Sequence, residues 1–574
     1  MIKIEVNGRT VDAQDGETLL TAVRRAGITI PTLCHYDGLP PSGACRMCVV
    51  DVEGQRGLVP SCAYPVASGM KVRTHSSRAV DARKTLVELL LANHPDDCLY
   101  CSRSGDCELQ ALAEQLGVRR RRYFGGRTPA RLDVASPAIV REPAKCILCG
   151  KCVRVCEEIQ TVGALDFIGR GSRARVGTAF DEGPNISSCV NCGQCVAVCP
   201  TGALNEHSAL EEVMAALSDP DRFVVVQHAP AVSVSLAEEF GAKPGSDVDG
   251  VLAAALRRLG FRRVFDTAFS ADLTVMEEAS ELVQRLTTAD APIPMMTSCS
   301  PGWIKFVEQF YPDMIPHLST CKSPQQMLGA VIKSFFADRE KIDPSRIFSV
   351  AVMPCTAKKF EAGRPEMGRN GRPDIDAVLT TRELAELIRM HGLDLNALPP
   401  EAPDTPFGER TAAGKIFGAS GGVAEASLRT AHFLLTGEPA APARIQPLRG
   451  LDGIKEYRAT IAGREIGVAA VSGLGQARAL VEQIRAGRKD LHLIEVMACP
   501  GGCINGGGQP RAASPDAVRA RMQALYAIDR DAPLRASHQN PAIHRLYAEF
   551  LEKPLSHRSH ELLHTEYEAR NVVM

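Results

Sequence analysis

Cysteine is the residue type in this sequence with the greatest capacity for chemistry. The chain has 20 cysteines in 574 residues, and 15 of them precede residue 200. It begins with a strand-like segment rather than an export signal, so we expect a reducing, cytoplasmic setting. Cysteines there hold metals or act in catalysis more often than they form disulfides. Iron–sulfur chemistry is therefore the first hypothesis.

The first group of cysteines has the spacing of a 2Fe-2S site. Its pattern is C-x10-C-x2-C-x13-C, formed by Cys34, Cys45, Cys48 and Cys62. Thiolates on one tight loop and a distant fourth thiolate suit this cluster, and the pattern differs from the plant type only in its first gap. Structural zinc is the alternative.

The second group combines one histidine with three cysteines: His94, Cys98, Cys101 and Cys107. Three thiolates and an imidazole can hold zinc or a 4Fe-4S cluster, so this group alone leaves both open. The neighbouring iron–sulfur motifs favour the 4Fe-4S cluster. The other 13 histidines lack such a context, and we expect them to be ordinary polar residues.

The third group repeats the pattern C-x2-C-x2-C-x3-C, which is the two-cluster pattern of bacterial ferredoxins. Each fourth cysteine in that pattern serves the other cluster. One 4Fe-4S cluster is therefore assigned to Cys146, Cys149, Cys152 and Cys199, and the other to Cys189, Cys192, Cys195 and Cys156. One 2Fe-2S cluster and three accessory 4Fe-4S clusters make an electron-transfer chain, which implies a redox site at its end.

The five remaining cysteines are Cys299, Cys321, Cys355, Cys499 and Cys503. The segments TSCSPGW (297–303), MPCTAKKFE (353–361), EVMACPGGC (495–503) and NGGGQP (505–510) are hard to explain as packing. Glycines beside ligand cysteines let the backbone approach a bulky cofactor and donate amide hydrogen bonds to it. These segments resemble the signature segments of FeFe-hydrogenases. The resemblance spans essentially the whole chain and is to the large monomeric multi-cluster clostridial type, the ferredoxin hydrogenases.

The resemblance implies an H-cluster, a 4Fe-4S cubane joined through a cysteine sulfur to a 2Fe subsite with CO, cyanide and azadithiolate ligands. By position, Cys355 and Cys499 would hold the cubane and Cys503 would bridge to the 2Fe subsite. Lys358 would hydrogen-bond a cyanide. The other implied pocket residues are Pro230, Ala231, Gln325, Met353, Phe417 and Met497. Ala231 stands where the family often has serine, which removes one possible hydrogen bond.

The implied reaction is the reversible reduction of protons to H2 with electrons from ferredoxin or a similar carrier. Protons would follow a path through Cys299, Glu278, Ser319, Glu281 and Arg285. Three of these residues, at positions 278, 281 and 285, have the spacing of one helical face. The resemblance also implies dedicated maturation proteins, since no segment of this chain could make CO and cyanide ligands.

Position 300 departs from the family pattern. The family has two adjacent cysteines there, a proton relay and then the fourth cubane ligand, whereas this chain has Cys299 and Ser300. A serine oxygen is a harder donor and its hydroxyl is less acidic, so ligation should be weaker. The open outcomes are oxygen ligation by Ser300, replacement by Cys299 with loss of the relay, recruitment of Cys321, or a labile cubane. We favour Ser300, because adjacent side chains in extended backbone point to opposite sides.

Two other functions remain as alternatives. The first is a hydrogen-sensing or catalytically impaired electron-transfer variant, because of Ser300. The second is an iron–sulfur carrier or assembly factor, which Lys358, the NGGGQP segment and the proton path disfavour.

A separate motif, Gly473-Leu-Gly475, lacks the last glycine of a dinucleotide fingerprint. We interpret it as a strand-to-helix turn, so nicotinamide binding by this chain is not expected.

Composition and patterning describe the elements that must position these residues. With 45% hydrophobic residues, the chain can bury a core. Its net charge of −1 gives no overall electrostatic field that would attract nucleic acid or an anionic membrane. Apolar runs at 223–226, 264–266, 348–353 and 467–471 alternate with amphipathic stretches such as 273–287, which predicts an α/β domain. We expect a multidomain α/β and α+β fold. Its domains are a β-grasp 2Fe-2S ferredoxin-like domain (1–78), a small 4Fe-4S cluster domain with one histidine and three cysteines (79–125), a 2x4Fe-4S ferredoxin-like domain (126–208) and a large α/β H-cluster domain (209–574). Residues 125–143 are rich in Gly, Pro and Arg and are predicted to be a linker.

Overall fold

The computed structural model describes the chain except residues 125–126, 128–130, 182, 184–186, 441–445, 512–513 and 573–574. The domain boundary predicted between residues 125 and 126 lies outside the described residues. Of the helices that are described, none has the length and apolar character needed to cross a membrane.

The N-terminal unit is a β-grasp sheet with one helix, as the sequence predicts. Its elements are β1 (Ile2–Val6), β2 (Arg9–Ala13), α1 (Leu19–Arg25), β3 (Val49–Val52), β4 (Val59–Pro60) and β5 (Lys71–Arg73). The strand order is β2-β1-β5-β3-β4, with β1 and β5 parallel. Alternate residues of β1 are buried against α1, because successive side chains of a strand point to opposite faces. The first cysteine group lies in and after the long loop between α1 and β3.

Two smaller units follow. The first contains α2 (Ser77–Asn93) and α3 (Glu108–Gln115). The second contains β6 (Ile139–Arg141), α4 (Lys151–Arg154), β7 (Asp166–Ile168), β8 (Arg175–Gly177), α5 (Gln194–Val198) and β9 (Leu204–Glu206). Strand β6 pairs antiparallel with β9 and so closes the ferredoxin-like unit on itself. The linker prediction is therefore wrong for residues 139–141, where buried side chains and backbone pairing outweigh the loop-like composition; residues 125–126 and 128–130 of the predicted linker lie outside the described residues.

The large C-terminal unit alternates strands and helices. Its first half contains α6 (Leu210–Ser218), β10 (Phe223–His228), α7 (Pro230–Ser233), α8 (Asp249–Arg258), β11 (Arg263–Asp266), α9 (Thr267–Thr287), β12 (Met295–Met296), α10 (Pro301–Phe310), α11 (Pro324–Val331), α12 (Ala337–Glu340) and β13 (Ile347–Met353). Its second half contains α13 (Ala357–Ala362), β14 (Gly368–Arg369), β15 (Arg372–Pro373), β16 (Ala377–Thr380), α14 (Thr381–Met390), α15 (Ala412–Ile416), α16 (Gly422–Thr436), β17 (Ile454–Ile461), β18 (Arg464–Ser472), α17 (Leu474–Arg485), β19 (Leu493–Met497), α18 (Pro515–Asp531), α19 (Pro541–Leu546) and α20 (His557–Leu563).

Two four-stranded sheets form the framework of this unit. One has the order β11-β10-β13-β16 and is entirely parallel. The other has the order β12-β19-β18-β17, in which only β17 is antiparallel. Helix α9 is buried along most of its length and packs against α11, α15 and α16. The carboxyl ends of the parallel strands carry the loops with the signature segments.

The turn at Gly473 joins β18 to α17, as the sequence predicts. The backbone N–H of Leu474 donates to Oε1 of Gln160 in the ferredoxin-like unit at 3.0 Å. A Cβ added at Gly475 would lie 2.6 Å from the carbonyl oxygen of Ile159. The start of α17 is therefore covered by another unit of the same chain.

Candidate functional site

A buried cavity lies where strands of both sheets end. Strand β13 ends just before Cys355, and β19 ends just before Cys499. The edge beyond the carboxyl ends of parallel strands is where α/β folds bind ligands. The cavity brings together twelve of the predicted site residues: Pro230, Ala231, Cys299, Ser300, Gln325, Met353, Cys355, Lys358, Phe417, Met497, Cys499 and Cys503.

The thiols of this cavity fit an iron–sulfur cluster. Burial raises the pKa of Cys503 to about 12 and holds the pKa values of Cys355 and Cys499 above the ordinary thiol range. Thiolate ligands are deprotonated, so a metal must compensate for the burial of their charge. Three converging thiols, of which Cys499 is buried and Cys355 and Cys503 are half-buried, line a largely apolar cavity. They are the donor set for which a 4Fe-4S cubane is suited.

Two polar side chains of the cavity wall keep hydrogen-bonding capacity for a bound group. Nζ of Lys358 donates to Oε2 of Glu361 at 2.9 Å and to the carbonyl oxygen of Cys299 at 3.1 Å, which uses two of its three donors. Nε2 of Gln325 donates to the same Glu361 oxygen at 3.2 Å. Its Oε1 has no hydrogen-bond partner among the described residues.

Ser300 and Cys299 take different positions at the cavity. Ser300 precedes α10 in extended conformation, and its Oγ accepts a hydrogen bond from the backbone N–H of Ala498 at 3.2 Å. Cys299 packs beside Phe417 and Met497. Burial, followed by the neighbouring Glu278 carboxyl group, raises the pKa of Cys299.

Cys321 lies elsewhere. Its Sγ is 4.0 Å from Oε2 of Glu281, and it does not line the cavity formed by the described residues. Recruitment of this thiol as a cubane ligand therefore has no geometric support.

The other predicted proton-path residues lie on α9 and in the loop before α11, with Glu278 next to Cys299. Glu278 is fully buried, its Oε2 accepts from Oγ of Ser427 at 3.4 Å, and its Oε1 has no partner in the described part of the chain. Burial raises the pKa of Glu278 to about 8. Oγ of Ser319 donates to Oε2 of Glu281 at 2.8 Å, and Nη2 of Arg285 donates to Oε1 of the same carboxylate at 2.6 Å. The last three residues of the predicted path thus form a continuous hydrogen-bonded segment.

The eight cysteines of the ferredoxin-like unit surround two separate cavities. One is lined by Cys146, Cys149, Cys152 and Cys199, and the other by Cys156, Cys189, Cys192 and Cys195. These are the two sets that the spacing predicts. The second cavity lies next to the large unit, because Oγ1 of Thr356 donates to the carbonyl oxygen of Asn191 at 2.7 Å. Thr356 directly follows Cys355, so the two sites are adjacent.

The first cysteine group is mostly buried. The backbone N–H of Cys45 donates to Sγ of Cys34 at 3.4 Å, and that of Met47 donates to Sγ of Cys45 at 3.5 Å. A hydrogen bond from the Cys45 thiol lowers the pKa of Cys34. Hydrogen bonds to sulfur tune metal-bound thiolates, so this loop fits a cluster site.

The His94 group lies at the surface. His94 caps α2 and is buried, while Cys98 is exposed and Cys101 and Cys107 are half-buried. Nδ1 of His94 has no partner among the described residues, and burial lowers the pKa of its imidazole. A neutral imidazole with a free nitrogen is the form that binds a metal.

Sequence reasoning missed one polar cluster beside the proton path. Glu277 accepts a hydrogen bond from the hydroxyl of Tyr547 at 2.6 Å and lies 3.2 Å from Nε2 of His564. Glu277 and His564 are 287 positions apart, so no spacing connects them. The only local signal is the pair of histidines at 560 and 564, one helical turn apart.

Five family descriptions match the chain. They are a 2Fe-2S iron-sulfur cluster binding domain (1–77), an NADH-ubiquinone oxidoreductase-G iron-sulfur binding region (83–122), a 4Fe-4S dicluster domain (145–203), the iron only hydrogenase large subunit, C-terminal domain (222–507) and the iron hydrogenase small subunit (515–570).

Several known proteins are similar to the chain. The NADP-reducing hydrogenase subunit HndD of Solidesulfovibrio fructosivorans is 49% identical, with 99% of each chain covered. Iron hydrogenase 1 of Clostridium pasteurianum is 38% identical over 99% of this chain and all of the relative. A variant of the FeFe-hydrogenase HydA1 from Chlamydomonas reinhardtii has a solved structure that is 41% identical with a TM-score of 0.58, covering 64% of this chain and 100% of that one.

Proposed function

Because the chain belongs to the FeFe-hydrogenase family, we propose a specific ligand set for each of its iron–sulfur cofactors. It is a hydrogenase with 2Fe-2S and 4Fe-4S electron-transfer domains. Cys355, Cys499, Cys503 and Ser300 would hold the cubane of an H-cluster. The three cysteine groups before residue 200, with His94, would hold one 2Fe-2S and three accessory 4Fe-4S clusters. The convergence of three thiols, Ser300 and Lys358 on one cavity carries this proposal.

The bound H-cluster would supply the iron site at which protons and electrons combine to form H2. The protein would shield this site with Phe417, Met353 and Met497, which exclude water. Glu361 already compensates the charge of the Lys358 ammonium. The remaining N–H of Lys358 would donate to an anionic ligand such as cyanide, because a buried donor is costly to leave unpaired. Gln325 would face the bound group with its Oε1, which has no hydrogen-bond partner among the described residues.

We further propose that protons reach the cavity through Arg285, Glu281, Ser319, Glu278 and Cys299. Cys299→Ala should lower H2 evolution by about 10²–10⁴-fold, because it removes a positioned proton donor. The CO and cyanide infrared bands should remain, since Cys299 is not among the proposed ligands. Unchanged turnover in this variant would contradict the path.

The test of the function itself is anaerobic H2 evolution from reduced methyl viologen, with protein produced alongside hydrogenase maturation proteins. We expect robust turnover together with CO and cyanide infrared bands. An impaired or sensing variant would have the bands and intact accessory clusters without efficient turnover. An iron–sulfur carrier or assembly factor would lack the bands altogether.

For the redox partner we propose ferredoxin or a similar one-electron carrier. A second candidate is a partner subunit, because the relative HndD is by name a subunit of an NADP-reducing hydrogenase and matches this chain along its length. In that arrangement this chain would interconvert H2 and protons while another subunit handled the nicotinamide. To distinguish a free carrier from a partner subunit, the native protein would be purified under mild conditions and any co-purifying chains identified.

A further inference from the structure

The C-terminal segment of the chain reaches the loop that carries Ser319. The backbone N–H of Thr565 donates to the carbonyl oxygen of Thr320 at 2.8 Å, and that of Lys322 donates to the carbonyl oxygen of Leu563 at 2.7 Å. These backbone hydrogen bonds join the end of α20 to the loop before α11. They place the side chain of His564, which is 7% exposed, beside the proposed proton path.

His564 is linked to two carboxylates of α9. One of its ring nitrogens lies within 4.8 Å of a carboxylate oxygen of Glu281. Thr320 bridges the two residues, because its Oγ1 is 2.8 Å from Nδ1 of His564 while its backbone N–H donates to Oε2 of Glu281 at 3.2 Å. On the other side, Nε2 of His564 is 3.2 Å from Oε2 of Glu277.

His564 also connects to the surface. Its ring centroid is 4.2 Å from that of His560, one turn earlier on α20. The His560 side chain is exposed. A solvent-accessible imidazole, a buried imidazole and Glu281 thus follow one another at separations that a rotamer change or a single water can bridge.

We infer that His564 and His560 form a second proton port that joins the proposed path at Glu281, in addition to Arg285. This inference rests on the path proposed above. A His564 imidazolium would give one proton to the Glu281 carboxylate and become neutral, and His560 would replace that proton from solvent. The resulting Glu281 carboxyl would pass its proton to the Ser319 oxygen while the Ser319 hydroxyl gives its own proton to an ionised Glu278. Each proton that enters at His560 is thus matched by one that moves on toward Cys299.

The surroundings of His564 suit this role. The titratable groups that face it are Glu277, Glu281, Cys321, His560 and, through Glu277, Tyr547. Burial opposes ionisation of Glu277, but hydrogen bonds from His564, Ser559 and Tyr547 hold its pKa below the ordinary range. Glu277 therefore stays ionised and orients an imidazolium rather than carrying the proton itself.

The same cluster is less suited to a metal ion. Both oxygens of Glu281 already accept hydrogen bonds, one from Arg285 and the other from Ser319. A cation bound to Glu281, Cys321 and His564 would have to lie beside the Arg285 guanidinium. The hydrogen-bonded proton relay is the arrangement that these contacts favour.

Arg285→Gln and His564→Gln, alone and combined, test the second port. Parallel ports add their proton flow, so each single variant should lose less than about 3-fold in H2 evolution and the double variant more than about 10-fold, beyond the product of the single losses. The amount by which the loss of the double variant exceeds the product of the single losses should grow with pH, because protons in solution become scarcer. Losses that simply multiply at every pH would overturn the inference.

Control measurements distinguish a variant that misfolds from one that only transfers protons poorly. The CO and cyanide infrared bands and the melting temperature report whether each variant is intact. Should His564→Gln fail to fold, the exposed His560→Gln combined with Arg285→Gln replaces it, with the same expected excess. His391→Gln, a change at an exposed helix end, should leave turnover unchanged alone and with Arg285→Gln.

The outcome also separates this inference from the path on which it rests. If Cys299→Ala leaves turnover unchanged, the whole path is wrong. If Cys299→Ala abolishes turnover but the losses of Arg285→Gln and His564→Gln only multiply, the path stands and the second port does not exist.

Discussion

At the scale of single residues, position 300 is the most informative place to intervene. Ser300 lines the cavity with the three proposed cysteine ligands, and its Oγ already accepts a hydrogen bond from Ala498. Thiolate is the softer and stronger ligand for iron–sulfur clusters. We therefore expect Ser300→Cys to raise cubane occupancy and H2 evolution and to shift the cubane potential, measured by iron content and redox-titrated electron paramagnetic resonance. If it changes none of these, Ser300 is not at a ligand position.

Glu278 provides a pH-dependent prediction. Burial raises its pKa to about 8, so between its unfolded value of 4.5 and about 8 the folded chain holds a proton that the unfolded chain has released. Its contribution to stability is fully present below 4.5 and declines by about 1.4 kcal/mol per pH unit until the pH passes about 8. Glu278→Gln has no such proton. The melting temperature of the wild type relative to this variant should fall from pH 5.5 to 8 and then level off, and a constant difference would contradict the buried neutral carboxyl.

At the scale of secondary-structure elements, the sequence predicts the features that depend on residues close together in the chain. The cysteine groups are recognisable because metal ligation fixes short spacings, and β10, β11, β13 and β18 are recognisable because strands buried on both faces are apolar runs. Strand β6 was missed, because its pairing with β9 lies more than 60 residues away. The contacts of Glu277 with His564 and Tyr547 were missed for the same reason. The roles of Cys299 and Ser319 came from the family resemblance alone.

The contact between α5 and the loop after β13 gives the prediction at this scale. Gly193 is the residue before α5 and has a φ of +72°, and a Cβ there would collide with Oγ1 of Thr356. Gly193→Ala should therefore push the second ferredoxin-like cavity away from the large unit. The variant should lose more stability than the roughly 1–3 kcal/mol of a left-handed alanine, and viologen-driven turnover should fall.

The matched control for this change is Gly241→Ala. Gly241 has a φ of +78°, but no atom lies within 4 Å of the added Cβ. This variant should show the backbone penalty in its melting temperature without a loss of turnover. Equal effects of the two changes on turnover would show that the contact of Gly193 with Thr356 does not matter for electron transfer.

At the scale of the whole molecule, charged residues hold the ferredoxin-like unit to the large unit. Glu206 of β9 accepts from Nε of Arg382 at 2.9 Å and from Nη2 of Arg511 at 3.2 Å. Both arginines belong to the large unit, and the carboxylate is largely buried between them. Buried, multiply hydrogen-bonded ion pairs fix geometry more than they add stability. The position of the ferredoxin-like cavities relative to the catalytic cavity is therefore set by specific contacts rather than by a linker.

The same close packing of units bears on which electron donor the chain can use directly. The glycine turn before α17 has the local form of a nucleotide-binding turn, but Gln160 accepts the N–H of Leu474 and Ile159 lies against Gly475. A pyrophosphate needs free backbone N–H groups at such a helix start. We therefore expect the purified chain to evolve H2 from reduced viologen or ferredoxin but not from NADPH, measured with equal amounts of each reductant. NADPH-driven turnover by the chain alone would contradict this account, whereas NADPH-driven turnover that requires a co-purified chain would favour the partner-subunit arrangement over a free ferredoxin.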